Sequence, residues 1–142
     1  EYQEQNKLIC MYSDGIEYLE EKNSTNLINF EDKQLSFMTI ELSNRIAVVD
    51  EVSTGGYTAD TNIHIINPAT RAEKQYVTSN IAKSIQTSNN KMAINFGTEL
   101  HIINKNGIVL KKYISDTEIN DIVMTDALVG VVYKDKIQII NF

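Results

Sequence analysis

A short apolar phrase recurs along the chain at a constant interval. It reads Ile-His-Ile-Ile-Asn at 63–67, Leu-His-Ile-Ile-Asn at 100–104 and Ile-Gln-Ile-Ile-Asn at 137–141. The phrases begin at residues 63, 100 and 137, so the interval is 37 residues each time. Strand-forming residues that return at this spacing indicate stacked or radial β-sheets. The hydrophobic pattern therefore predicts an all-β protein.

Turn signals divide the chain into units of four short strands. Asn-Gly at 106–107 and Asp-Gly at 14–15 supply the positive φ of tight hairpins, and Pro68 fixes a turn after the first phrase. A further pair of strand-like runs precedes each phrase. We expect one β-repeat domain over residues 1–142, with four units: a partial one at 8–22, a full one at 35–76 that carries an inserted hairpin at 52–61, a full one at 81–113, and a partial one at 119–142.

Each phrase carries apolar residues in both alternation classes. This pattern suits sheets that are covered on two faces. We expect one class to face one neighbouring sheet and the other class to face the opposite neighbour. The first class is Ile63, Ile65, Leu100, Ile102, Ile137 and Ile139, and the second is Ile66, Ile103 and Ile140.

Four-stranded antiparallel units with a repeat of about 37 residues resemble the blades of β-propellers. The resemblance covers residues 8–142, rests on the Ile/Leu-x-Ile-Ile-Asn phrase with its Asn-Gly or Asp-Gly turn, and is to degenerate WD-repeat-like or pyrroloquinoline-quinone-dehydrogenase-like blades. The Gly-His and Trp-Asp signatures of WD repeats are absent. The chain also resembles bacterial propeller-like proteins tethered by a preceding membrane helix. That likeness implies an extracytoplasmic location, whereas the residues themselves indicate no compartment.

The number of units is small for a closed ring. The chain accounts for about three to three and a half blades, whereas closed propellers have about four to eight. It also begins at Glu1, without an initiator methionine. We expect an open fragment whose remaining blades belong to a longer chain, or a propeller that is completed by self-association, because uncovered blade faces would be large apolar patches.

Charge and hydropathy exclude two classes of partner. Residues 1–71 carry 12 acidic and 5 basic side chains, and residues 72–142 carry 7 and 8. An acidic first half would repel a phosphate backbone, so we expect no nucleic-acid binding. No apolar run approaches the roughly 18 residues of a membrane span.

The sequence offers no catalytic, cofactor-binding or metal-binding set. His64 and His101 occupy the same phrase position, but Gln138 takes that position in the third phrase, which favours a polar structural role between blades. Packed sheets lie about 10 Å apart, too far for two imidazoles to share one metal directly. Asn67 and Asn104 end their strands, where Asn can bond to its own turn backbone.

The repeat is interrupted at residues 52–61. Twelve residues separate Asp50 from Ile63, whereas three separate the corresponding positions in each later unit. The extra nine residues predict a protruding hairpin or loop on the rim where connections between blades also emerge. We expect the binding residues there to be Asp50, Glu51, Tyr57 and Asp60.

The predicted function is a non-catalytic binding or scaffold domain of the β-propeller type that recognises a protein or glycan through its loop face. The alternative is a non-catalytic portion of a propeller-fold enzyme, a lyase or hydrolase, with its active site elsewhere.

Overall fold

The computed structural model describes residues 2–4, 7–12, 15–20, 23–29, 34–43, 45–54 and 58–142, with side chains at residues 17, 42–43, 45–49 and 61–142. The described residues form fifteen strands and no helix. All strand pairs are antiparallel, and they build four sheets in which neighbours in sequence are neighbours in space. The protein is therefore all-β. Its assignment to propeller blades stays a prediction.

The strand bounds follow in chain order. The first sheet holds β1 (Tyr2–Glu4), β2 (Lys7–Tyr12), β3 (Gly15–Glu20) and β4 (Asn23–Asn29). The second sheet holds β5 (Gln34–Leu42), β6 (Arg45–Thr54), β7 (Thr58–Ile66) and β8 (Glu73–Thr78). The third sheet holds β9 (Ser84–Ser88), β10 (Lys91–Asn95), β11 (Glu99–Asn104) and β12 (Val109–Ile114). The fourth sheet holds β13 (Asp121–Met124), β14 (Leu128–Val132) and β15 (Ile137–Asn141).

The first sheet differs from the unit expected at 8–22, because it has two additional strands. Tyr2 pairs with Ile9 in β2, and Asn23 pairs with Glu20 in β3. Asn is depleted in strands, so the sequence of β4 reads as a connecting segment. Pairing with β3 nevertheless gives the backbone groups of β4 hydrogen-bond partners, and these bonds stabilise the segment as a strand.

Asparagine initiates two of the hairpins, as the sequence predicted. The Oδ1 of Asn104 accepts hydrogen bonds from the backbone N–H of Asn106 at 2.9 Å and of Ile108 at 3.1 Å. Gly107 supplies the left-handed backbone of this turn, with φ of 75°. The Oδ1 of Asn67 likewise accepts from the N–H of Ala69 at 3.1 Å. The structural role of both asparagines is confirmed.

Two aliphatic clusters hold the second, third and fourth sheets together. The cluster between the second and third sheets is formed by Leu42, Ala47, Val49, Ile63, Ile65, Ala82, Met92, Ile94 and Ile103. The cluster between the third and fourth sheets is formed by Ala93, Leu100, Ile102, Ile119, Ile122, Val129, Val131, Tyr133 and Ile140. The third sheet is thus buried on both faces, with alternate residues of β11 in different clusters.

Candidate binding surface

The hairpin of β6 and β7 is the longest in the chain as described. Its ladder runs from Ile46 paired with Ile66 to Thr54 paired with Thr58. β6 has ten residues and β7 has nine, whereas β10 and β11 have five and six. The pairing continues through most of the segment predicted to protrude, and residues 55–57 lie outside the described part of the chain.

Three of the four predicted binding residues lie on consecutive rungs of this hairpin. Asp50 pairs with Asn62, Glu51 pairs with Thr61, and Asp60 pairs with Val52. The three acidic positions therefore lie on adjacent rungs of the backbone ladder, on strands and not on a loop. Tyr57 lies outside the described residues, so its contact role stays a prediction.

A buried threonine attaches the hairpin to the connection between the second and third sheets. The hydroxyl of Thr61, which is fully buried, donates to the carbonyl of Asn80 at 2.6 Å and accepts from the N–H of Ala82 at 3.1 Å. The Nδ2 of Asn80 in turn donates to Glu99 Oε2 at 3.2 Å. The base of the hairpin is consequently fixed to residues 79–83, which link β8 to β9.

The same arrangement of turn and connection recurs between the third and fourth sheets. The N–H of Ser115 donates to the carbonyl of Thr98 at 2.8 Å, and the N–H of Ile119 donates to the carbonyl of Gly97 at 2.7 Å. The Nδ2 of Asn95 also donates to the carbonyl of Ile119 at 3.2 Å. We call the loop face the rim formed by the β6–β7 hairpin, connections 79–83 and 115–120, and turns 96–98 and 133–136.

The loop face contains an open cleft of about 490 Å³. Connection 115–120 forms one wall, and turn 133–136 forms the other. The lining residues are Thr117, Glu118, Asn120, Tyr133, Lys134 and Asp135. The lining side chains include both hydrogen-bond donors and acceptors.

Hydroxyl groups contact Tyr133, one of the residues that line this cleft. The hydroxyl of Tyr133 lies 3.0 Å from that of Tyr113 and 3.1 Å from the Oγ of Ser115. Ser115 Oγ donates to the carbonyl of Thr117 at 2.6 Å. These contacts hold the hydroxyl of Tyr133, which lines the cleft, in place.

An ion pair borders the cleft. Lys83, from the connection before β9, contacts Glu118, and this ammonium group lowers the pKa of the Glu118 carboxyl. The sequence did not identify Glu118, Asn120, Tyr133 or Lys134 as site residues. Those residues become neighbours only when turn 133–136 meets a connection that is 13 or more positions earlier, and no local pattern encodes that approach.

The two histidines have separate partners. His101 is 2% exposed; its Nδ1 lies 2.6 Å from the hydroxyl of Tyr76, and its Nε2 lies 3.1 Å from Glu99 Oε2. His64 Nδ1 lies 2.6 Å from Glu73 Oε1. Among the described residues, no group of three His, Cys, Asp or Glu side chains is placed to hold a metal ion.

Burial controls the ionisation of the His101 site. Desolvation is the main cause that lowers the pKa of His101, and Lys112 on the adjacent strand acts in the same direction, against the opposing effect of Glu99. Desolvation also raises the pKa of Tyr76, with Glu99 as the second cause. Both rings are therefore neutral around pH 7, so the Tyr76–His101 contact is a hydrogen bond between uncharged groups.

Gln138 makes the contact that corresponds to that of His101. The hydroxyl of Tyr113 donates to Gln138 Oε1 at 3.0 Å, and Tyr113 and Gln138 each lie 37 residues after Tyr76 and His101. In both cases a tyrosine in the fourth strand of one sheet bonds to the next sheet. The structure thus agrees with a polar structural role for this position.

Within the described residues there is no helix of the length and hydropathy that a bilayer crossing requires. A comparison of the sequence with models of known protein families and with curated proteins found no significant match.

Proposed function

We propose that this chain is a non-catalytic binding or scaffold domain of the β-propeller type that recognises a protein or glycan through its loop face. Consecutive antiparallel sheets that pack face to face support the architectural part of the proposal. The functional part rests on the loop face.

The observation that carries the proposal is the length of the β6–β7 hairpin. Its strands continue past Thr61, whose hydroxyl is hydrogen-bonded to Asn80 and Ala82 in connection 79–83. The ladder extends from there to Thr54 and Thr58. An extension of this kind on a rigid base is a common means of presenting binding residues.

The composition of the loop face suits a partner rich in hydrogen-bonding groups. The cleft supplies an amide from Asn120, carboxylates from Glu118 and Asp135, and an ammonium group from Lys134. The hairpin adds the acidic rungs of Asp50, Glu51 and Asp60. Sugar hydroxyls and peptide groups both match such a mixture, because each donates and accepts.

The histidine–carboxylate pairs favour binding over catalysis. His64 and His101 are 4% and 2% exposed, and His101 also packs edge-on against Phe96, with ring centroids 4.7 Å apart. A general base must reach the proton that it removes. These imidazoles lie between sheets and outside the cleft, so their contacts serve packing.

The test compares loop-face variants with a variant of the opposite rim. We expect Tyr57→Ala, and separately the double variant Asn120→Ala with Asp135→Ala, to reduce capture of a partner at least tenfold without change in the circular dichroism spectrum. Lys105→Ala is the matched control, because Lys105 lies in the turn after β11, at the opposite end of the strands. The immobilised protein would be probed with a glycan array and with a lysate of the producing cells.

Equal capture of every ligand by the parent protein and by both loop-face variants would contradict the proposal. Loss of capture in Lys105→Ala alone would move the binding surface to the opposite rim.

A further inference from the structure

The fourth sheet has an open edge at a place where the second and third sheets have a paired strand. β7 pairs with β8, and β11 pairs with β12. β15 carries the same phrase as β7 and β11, at the same interval of 37 residues. Among the described residues, however, β15 pairs only with β14. The edge of β15 that corresponds to the paired edges of β7 and β11 is therefore open.

Hydrogen bonds at both ends of the β14–β15 ladder show which backbone groups of β15 are already used. The N–H of Tyr133 donates to the carbonyl of Lys136 at 2.8 Å, and the N–H of Phe142 donates to the carbonyl of Ala127 at 3.4 Å. Antiparallel strands alternate between hydrogen-bonded and non-hydrogen-bonded pairs. Since the register between these two bonds is uninterrupted, the even-numbered residues of β15 bond to β14.

The odd-numbered residues of β15, namely Ile137, Ile139 and Asn141, consequently direct their N–H and C=O groups to the open edge. One of these groups already attracts a donor, because the ammonium group of Lys111 on β12 donates to the carbonyl of Asn141. The side chains of Ile137 and Ile139 are mostly exposed. The edge thus presents the backbone donors and acceptors of Ile137 and Ile139 to an incoming strand.

β15 also lacks the features that protect the edge strands β8 and β12. Exposed sheet edges usually carry charged residues, proline or bulges, which discourage the addition of another strand. Glu73 and Lys74 are such residues in β8, and Lys111 and Lys112 are such residues in β12. β15 contains neither a charged residue nor a proline, and its pairing with β14 has no register shift. Its edge is therefore suited to strand addition.

The two paired edges indicate which kind of strand fits. In both, the first residue of the phrase pairs with a tyrosine and the third residue pairs with a lysine. The pairs are Ile63–Tyr76 and Ile65–Lys74 in the second sheet, and Leu100–Tyr113 and Ile102–Lys111 in the third sheet. A tyrosine ring and the aliphatic stem of a lysine both pack well on an aliphatic neighbour. In the same register, Ile137 and Ile139 would pair with the tyrosine and the lysine of an added strand.

We propose that the open edge of β15 binds an extended Lys-x-Tyr segment of a partner polypeptide, which adds to the fourth sheet as an antiparallel strand. Backbone hydrogen bonds to Ile137 and Ile139 supply the affinity, and the two cross-strand pairs select the segment. The Lys-x-Tyr strands of a second copy, β8 and β12, are already paired within their own sheets. The site does not depend on the function proposed for the loop face.

A peptide that matches β8 tests the proposal on the intact chain. The probe is a fluorescein-labelled peptide of residues 71–78, Arg-Ala-Glu-Lys-Gln-Tyr-Val-Thr, because it contains the strand that covers the corresponding edge of the second sheet. We expect its fluorescence anisotropy to rise to a plateau as the protein is added.

Two proline substitutions in the peptide test the register. The N–H of Asn67 donates to the carbonyl of Ala72, so by alternation Lys74 bonds to β7 whereas Gln75 points away. Lys74→Pro removes an N–H that the edge needs, and it should raise the dissociation constant at least tenfold. Gln75→Pro is the matched control, and it should leave the dissociation constant nearly unaltered because the lost N–H faces solvent.

A second measurement changes the protein. Ile139→Pro removes an N–H that points to the open edge, so it should weaken binding of the parent peptide at least tenfold. The bonds from β15 to β14 remain, and the circular dichroism spectrum should match that of the parent. Ile114→Pro is the matched control: Ser115 bonds to Thr98, so by alternation the N–H of Ile114 points away from β11.

Three results would overturn the proposal. The first is the lack of saturable binding at millimolar peptide. The second is equal binding of the two proline peptides, or of the parent peptide by Ile139→Pro and the parent protein, because the contact would then lie elsewhere. The third is a dimer of the parent protein, seen by sedimentation velocity, that Ile139→Pro abolishes, because a second copy would then occupy the edge.

Discussion

Individual polar residues fix the position of one sheet relative to the next, and His101 is an example. Its ring is buried between Tyr76, Glu99 and Phe96, with Lys112 opposite on the next strand. The phrase in the sequence indicated a polar structural position, and the corresponding contact of Gln138 agrees with it. The tyrosine partners were not predictable, because the contact joins residues 25 apart on different sheets.

The lowered pKa of His101 predicts that acid destabilises the fold. In the unfolded chain the imidazole of His101 has a pKa of about 6.5, and in the folded chain its pKa is lower. As pH falls below about 6.5, the unfolded chain therefore binds more protons than the folded chain, and the free energy of unfolding decreases. His101→Gln should remove this component, since Gln138 makes the same type of bond. Urea denaturation at pH 7.5 and pH 5.0 measures it. An identical difference between the two pH values in parent and variant would contradict the assignment to His101.

The stability of a strand depends on the sheets that cover its side chains, and β11 and β15 differ in this respect. Both carry the recurring phrase, but Ile102 is fully buried against the fourth sheet whereas Ile139 is 60% exposed. The sequence predicted these strands and their alternation, because period-two patterning is encoded locally. The expectation that Ile137 and Ile139 face a neighbouring sheet is wrong, since they are 64% and 60% exposed. The sequence missed β1 and β4, whose polar composition resembles that of a connecting segment until pairing with β2 and β3 supplies backbone partners.

This contrast predicts unequal effects of one substitution at the same phrase position. Ile102→Ala should lower the free energy of unfolding by about 2–5 kcal/mol, because it opens a cavity in a packed cluster. Ile139→Ala should lower it by less than about 1 kcal/mol, because the side chain is mostly in water. Urea denaturation at low micromolar protein concentration gives both values. Similar losses for the two variants would mean that Ile139 is covered in the folded monomer.

At the scale of the whole molecule, the burial of a sheet depends on how many neighbouring sheets pack against it. The third sheet is covered on both faces, and the fourth on one. The phrase interval predicted the succession of strands, whereas the cleft and the exposed face of the fourth sheet depend on which surfaces meet. Turn 133–136 and connection 115–120, for instance, carry no shared sequence signal.

Coverage on both faces predicts that the central strands of the third sheet are better protected than the last strand of the fourth. Amides of β10 and β11 should exchange with deuterium more slowly than those of β15, because their exposure requires separation from two sheets. Hydrogen-exchange mass spectrometry resolved to single strands measures this order. Slower exchange in β15 than in β11 under monomeric conditions would show that the fourth sheet has cover of its own.

The consecutive strand order within every sheet has a consequence for how the chain folds. Each strand pairs only with the strands before and after it in sequence, so every hairpin closes over a short loop. A short loop costs little entropy to close, so each sheet can form from one contiguous segment of the chain. A sheet can therefore begin to form during synthesis, as soon as its own strands have left the ribosome. Its apolar face then provides a surface against which the next sheet packs.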